Sequence, residues 1–329
     1  MSRYAHIRLA ALIIGSLCFI SFSAAADEAA FKSWVNTMLD EMVASGKISQ
    51  PRADVLNAHV SFVPRVIELD KKQPEKKISF ATYKERILSA QRIDKGRKLY
   101  HKHSALLNEI SNKYGVQPQY IIALWGIETN YGGFTGGMDV LSSLATLAYE
   151  GRRAAFFKSE FIKAVNIFHT LNKAPSEMKG SWAGAMGQCQ FMPSSYIAYA
   201  VDYDGDGYKD IWNSLPDTFA SIANYLSSVG WRGDLRWGRE VILPTNFDMS
   251  LEGRDTRKPI SYWANKGVNL PNGQALPKAD NIKASIVVPD KDGSDAYIVY
   301  ANYNTIMHWN RSTYFATSVG LLADRIAMR

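Results

Sequence analysis

Apolar residues recur at helical spacing along most of the 329-residue chain. From Ala29 to about Ala123 this pattern predicts helices. FKSWVNTMLDEMVASGKI closes near Gly46, and a longer amphipathic stretch, YKERILSAQRIDKGRKLYHKHSALLNEISNKYG, ends at Gly115. KKQPEKK between them reads as a charged, solvated turn. From Pro118 to about Trp231 helices alternate with glycine-rich turns; Pro118 suits a first helical turn, and the Gly132-Gly133 pair supplies a stop. Beyond Glu240 the texture changes. EVILP, ASIVVP and DAYIVY are short β-branched runs separated by PNG and KDG turns, which predicts a small sheet. TYFATSVGLLADRIAMR then returns to helix, so the expected class is mainly α with a small β-containing insertion near the C-terminus.

The first residues alter this picture. Arg3 and Arg8 precede an apolar run from Leu9 to Phe22, and Ala24, Ala25 and Ala26 offer a small-residue cleavage site. We read residues 1–26 as a secretory signal peptide cleaved near Ala26, with the mature protein in the periplasm. The run is short for a membrane span, and Leu17 before Cys18 is not the small residue of a lipoprotein signal. Cys189 would be the one cysteine left, so core packing rather than a disulfide must hold the exported chain together. Without the two leader arginines the formal charge falls from +7 to +5. A basic exported protein suits anionic polymers such as peptidoglycan; no zinc-finger or basic-helix pattern points to nucleic acid.

One carboxyl stands out. In QYIIALWGIETNYGG every position from Tyr120 to Ile127 except Gly126 is apolar or alanine, and Glu128 ends the run. A carboxyl rising from such a surface, near the negative end of a helix, should have a raised pKa. It would then stay protonated near neutrality, as a general acid for a glycosidic oxygen must. The competing reading is a residue that caps the helix or pairs with a nearby Lys or Arg.

GSWAGAMGQCQFMPSSY, from Gly180 to Tyr196, is too glycine-rich for an ordinary helix and too apolar for an ordinary loop. Together with GIETNYG some fifty residues earlier, AVDYDGDGYKDIWNSLPDTFASIANYLSSVGW after it and NTIMHWNRSTYFATSVGLLADRI, it resembles the lytic murein transglycosylases of the membrane-bound B type. Upstream the resemblance reaches VIELDKKQPE and the Tyr83 helix, and so covers most of the mature chain.

The resemblance implies a lysozyme-like helical core, residues 116–238. A helical region, 27–115, would pack on it, the β-containing insertion would span 239–300, and a C-terminal helix, 301–329, would complete it. It implies cleavage of the MurNAc-GlcNAc β-1,4 bond without water, giving 1,6-anhydromuramic acid ends, with Glu128 first as acid and then as base. A second carboxylate is not required if the substrate's N-acetyl group stabilises the developing charge. A hydrolytic muramidase and a silent wall-binding protein are the alternatives.

Ser181, Gln190, Phe191, Tyr83, Tyr225 and Asn310 match family positions around the cleavage site, while Trp309 and Tyr314 are weaker candidates. A tight packing turn would account equally for the glycines, and core packing for the aromatics. DYDGDGYKDIWN resembles a calcium loop, with Asp202, Asp204, Asp206 and the Tyr208 carbonyl as ligands and Asp217 in place of the absent terminal Glu; the alternative is an Asx-rich loop held by its own hydrogen bonds. Catalysis needs no cofactor, so a Ca2+ here would be structural. The expected partners are peptidoglycan glycan strands and peripheral contacts with cell-wall enzymes, the protein acting as a monomer and binding no nucleic acid.

Overall fold

The structure is a computed structural model describing residues 11–72, 78–171, 174–290 and 295–328, with side chains from Asp27 onward. Residues 1–10 of the expected leader, most of the KKQPEKK turn and the KDG turn lie outside the described residues.

Among the described residues there are fourteen α-helices. The first seven are α1 (Ala11–Ala44), α2 (Gln50–His59), α3 (Pro64–Lys71), α4 (Phe80–Ile87), α5 (Ala90–Lys102), α6 (Ser104–Tyr114) and α7 (Pro118–Thr129). Strand β1 (Met138–Asp139), α8 (Val140–Glu150), α9 (Ala154–Leu171), β2 (Lys179–Gly180), α10 (Pro193–Tyr199) and α11 (Leu215–Ser228) follow. The chain ends with β3 (Gly238–Val241), β4 (Lys258–Pro259), α12 (Ile260–Asn265), β5 (Lys283–Val287), β6 (Ala296–Val299), α13 (Ala301–Trp309) and α14 (Thr313–Ala327). The class is mainly α.

The chain divides into two compact units. The first contains residues up to Lys72, Gly136–Ala185 and Met192–Ser194. Its core joins α1 to α8 through Phe31, whose ring meets Tyr149 edge-on, and α8 to α9, which lie against each other. Asp70 is buried and held by Arg152 and Arg153, so its charge does not go unpaired.

The second unit contains Gln73–Thr135, Met186–Phe191 and Ser195–Arg329. At its centre runs α7, buried on nearly every side and surrounded by α5, α6, α11 and α14. A helix apolar all round is stable only in such a position. Strands β3, β6, β5 and β4, in that order, form an antiparallel sheet over a satellite core that includes Val241, Trp263, Ile286 and Ile298.

Two expectations shift. The long amphipathic stretch is three helices, because Ser89 caps α5 by accepting from Arg92 N and His103 both closes α5 and opens α6. Helix α7 stops before the glycine pair, since Asn130 itself takes the left-handed conformation that ends it.

Candidate active site

Glu128 lies in the last turn of α7. Immediately after that turn Asn130, Tyr131 and Gly132 have φ of 52°, 60° and 71°. The left-handed region costs an ordinary L-residue about 1–2 kcal/mol, so such a run needs fixing from outside. Tyr131 Oη donates to the Arg92 carbonyl at 2.8 Å, Lys95 Nζ to the Asn130 carbonyl at 2.9 Å, and Phe134 N to the Thr129 carbonyl at 3.0 Å. The Tyr131 ring fits only because position 126 is glycine: a Cβ there would lie 2.5 Å from it. The GIETNYG motif is therefore a helix end folded back over its own last turn.

Glu128 Oε1 accepts a hydrogen bond from Trp309 Nε1 at 2.7 Å. The indole is held between Phe191 and Tyr225, at ring-centroid distances of 5.2 Å and 4.6 Å. Burial raises the carboxyl to a pKa of about 7, and the Trp309 bond, which favours the carboxylate, opposes it without prevailing. Among the described residues no Lys or Arg pairs with Glu128, so the salt-bridge reading is not realised. Cys189 is fully buried; burial first, and the Glu128 charge second, push its thiol far up. It is a packed thiol rather than a nucleophile.

The glycine-rich stretch contains two structures. In the first unit, Ser181 N donates to the Ala185 carbonyl at 2.8 Å and Ser181 Oγ accepts from Ala185 N at 3.0 Å, closing a tight turn. In the second, Met186 and Phe191 exchange backbone bonds of 2.8 Å and 3.0 Å, forming a small loop whose Gly187 and Gln190 have φ of 64° and 49°. Gln188 fastens this loop to α7. Its Oε1 accepts from Trp125 Nε1 at 2.8 Å, and its carbonyl accepts from Thr129 Oγ1 at 2.9 Å. What needs so compact a backbone is the end of the Glu128 helix, against which the loop is hydrogen-bonded.

Residues 30–324 match the transglycosylase SLT domain. The chain belongs to this family. It is 32% identical over 253 residues to the membrane-bound lytic murein transglycosylase B of Escherichia coli, covering 75% of this chain and 67% of that protein. The structure of SltB3 from Pseudomonas aeruginosa in complex with NAG-NAM-pentapeptide is similar, with a TM-score of 0.86 and 40% identity over 90% of this chain and 79% of that one. The calcium complex of the Escherichia coli lytic transglycosylase Slt35 is also similar, with a TM-score of 0.77 and 28% identity over 89% and 92% of the two chains. The protein is a lytic murein transglycosylase with a lysozyme-like fold.

Within this transglycosylase, Glu128, Phe191, Tyr225 and Trp309 come together. Phe191 and Tyr225 are buried and back the Trp309 ring, and Tyr225 Oη donates to the His308 carbonyl at 3.0 Å. Gln190 is partly exposed, but its Nε2 donates to the Thr135 and Gly187 carbonyls at 2.9 Å and 3.0 Å; its Oε1 is the atom it can offer a ligand. Asn310 ends α13, its N donating to the Ile306 carbonyl at 3.1 Å, and its Oδ1 accepts from Ser312 N at 3.0 Å. Tyr83, on α4, lies 5.7 Å from Tyr314 ring to ring. Ser181 stands in its own turn in the first unit. The residue undervalued by sequence reasoning is Trp309, whose one signal was its place beside Asn310 in HWNRSTYF.

Of the loop acids, Asp202, Asp204 and Asp217 bring carboxylate oxygens within 4.8 Å of one another. Asp217 is fully buried, and its pKa is raised, first by burial. Three carboxylates so close, one of them desolvated, repel one another, and the hard oxygen set suits a divalent cation. Asp206 is not in this cluster: its Oδ1 accepts from Tyr208 N at 2.8 Å. Asp210 accepts from Trp212 N and Asn213 N.

Proposed function

We propose that this enzyme cleaves the MurNAc-GlcNAc bond of peptidoglycan and closes the muramic acid onto itself, with Glu128 as the single acid and base. The observation that carries the reading is a carboxyl hydrogen-bonded to a single indole at 2.7 Å, whose pKa burial raises to about 7 against that bond. Among the described residues no other carboxylate is hydrogen-bonded to it. Trp309 occupies Oε1, so the transferable proton resides on Oε2. That proton goes to the bridging oxygen as its bond to the anomeric carbon breaks. The muramic 6-hydroxyl then bonds to the anomeric carbon, and Glu128 recovers the proton from it. No water is consumed.

Tyr83, Ser181, Gln190 and Asn310 are proposed to bind the glycan, with Phe191 and Tyr225 forming the pocket wall. Residues 116–238 with 301–329 would be the catalytic core, 27–115 an N-terminal helical region, and 239–300 an insertion. Asp202, Asp204 and Asp217 would hold a Ca2+ that neutralises their mutual repulsion and ties the loop to α11; in this proposal the Tyr208 carbonyl joins them, and Asp206 does so only by turning its carboxylate away from Tyr208 N. The substrate and metal readings draw support from the peptidoglycan fragment bound by SltB3 and the calcium bound by Slt35. Among the described residues no helix is long and apolar enough to cross a membrane; export to the periplasm is proposed from the leader-like residues 1–26. The test is digestion of purified peptidoglycan, with mass spectrometry of the muramic acid ends. Anhydro ends support the proposal; reducing ends, heavier by one water, refute it.

A further inference from the structure

The inserted sheet grips the helix that carries Tyr83. Asp290, beyond the end of β5, accepts from Phe80 N at 2.7 Å through Oδ2 and from Tyr314 Oη through Oδ1. Phe80 is the first residue of α4, so its N–H has no partner within the helix, and a carboxylate there also faces the positive end of the helix dipole. One turn along, Lys84 Nζ lies 2.7 Å and 2.8 Å from the two oxygens of Asp295, the residue preceding β6. The Phe80 ring, fully buried, meets Tyr297 of β6 and Tyr314 edge-on at 6.1 Å and 5.2 Å. Tyr83 therefore stands on a helix fastened twice to the sheet, and its ring neighbour Tyr314 is fastened to the same Asp290.

We propose that Asp290 is a positioning residue for the glycan: it fixes Tyr83 and Tyr314 relative to each other, and with the Lys84–Asp295 pair it makes the inserted sheet a determinant of substrate affinity rather than of chemistry. This rests on the reading of Tyr83 as a groove residue. Two rings contribute to binding a sugar only while their separation and tilt are held, and an eight-residue helix such as α4 has little stability of its own to hold one of them.

The experiment compares full-length Asp290→Ala, Asp290→Asn, Lys84→Met, Tyr83→Ala and the Asp290→Ala/Tyr83→Ala double variant on solubilised peptidoglycan, with circular dichroism checking the fold. Asp290→Ala and Tyr83→Ala should each raise KM roughly five- to tenfold with kcat within about twofold. Lys84→Met should move KM in the same direction. Asp290→Asn, which can still accept from Phe80 N, should restore part of the loss. In the double variant Asp290→Ala should add nothing to Tyr83→Ala. If Tyr83→Ala raises KM while folded Asp290 variants and Lys84→Met leave it unchanged, or if the two effects add, the proposal is overturned. A Tyr83→Ala variant with unchanged KM overturns the groove reading and this proposal together. Should Asp290→Ala fail to fold, Asp290→Asn and Lys84→Met decide the matter.

Discussion

Trp309 Nε1 lies 2.7 Å from Glu128 Oε1. An indole N–H can only donate, so this contact stabilises the carboxylate and makes one oxygen of the pair different from the other. Burial and the indole thus pull the same carboxyl in opposite directions, and its pKa of about 7 is the resultant.

Replacing Trp309 with Phe keeps a ring against Phe191 and Tyr225 but removes the donor. A hydrogen bond to a charged group contributes about 1.5–3 kcal/mol, so the Glu128 pKa should rise by about one to two units. In a pH profile of kcat/KM the high-pH limb should move up by that amount while kcat falls, because the proton-bearing oxygen is no longer fixed. An unmoved limb would show that the indole does not act on the acid.

Glu128→Gln should lower glycan-strand cleavage by roughly 100- to 10,000-fold, the usual contribution of a positioned acid and base. Peptidoglycan pull-down and circular dichroism should remain as in the parent protein. Retained turbidity clearance would remove Glu128 from the reaction.

The same substitution should alter stability in a pH-dependent way. The folded-state pKa of Glu128, about 7, lies above the ordinary 4.5, so the folded protein holds this proton more firmly than the unfolded chain. Below about pH 4.5 the group makes no difference. Stability should fall as pH rises from there to about 7, by up to about 3 kcal/mol. Glu128→Gln should abolish that fall, so urea unfolding of the two proteins should agree at pH 4.5 and diverge at pH 8 in favour of the variant.

Calcium should raise the melting temperature. Saturation at a hundredfold excess over Kd corresponds to about 2.7 kcal/mol, or a few degrees for a protein of this size. Chelator should reverse the gain, and Asp217→Asn should remove most of it. A melting curve indifferent to calcium would eliminate the metal proposal.

The helical class, the Pro118 start of α7, the small sheet and the raised pKa of Glu128 were legible in the sequence because each depends on local pattern: apolar spacing, a proline, β-branched runs, and an acid ending a greasy helix. The division of the long amphipathic stretch was not, since Ser89 and His103 act as caps only through backbone geometry that composition does not reveal. The contact of Trp309, a weaker candidate in the sequence, with Glu128 was hidden for another reason. Trp309 is 181 residues from Glu128, and nothing in an aromatic's neighbours along the chain says which acid it will meet. Gln188 binds Trp125 and the Trp212 carbonyl, an internal tie that a backbone so full of glycine needs and that its sequence neighbours do not announce. In DYDGDGYKDIWN the sequence grouped Asp202, Asp204, Asp206 and Tyr208 by spacing and added Asp217 in place of the absent Glu, while the fold gathers the carboxylates of Asp202, Asp204 and Asp217.

Tyr131 occupies a socket formed by two positions without side chains, Gly96 and Gly126, where an added Cβ would lie 2.4 Å and 2.5 Å from its atoms. The socket has no slack. A saturation library of this enzyme should therefore show an inverted tolerance map around α7: residues with no functional group would be as immutable as Glu128 itself. Conservative enlargement by one methyl would be among the most damaging changes, and no distant suppressor that merely strengthens the fold could restore the turn.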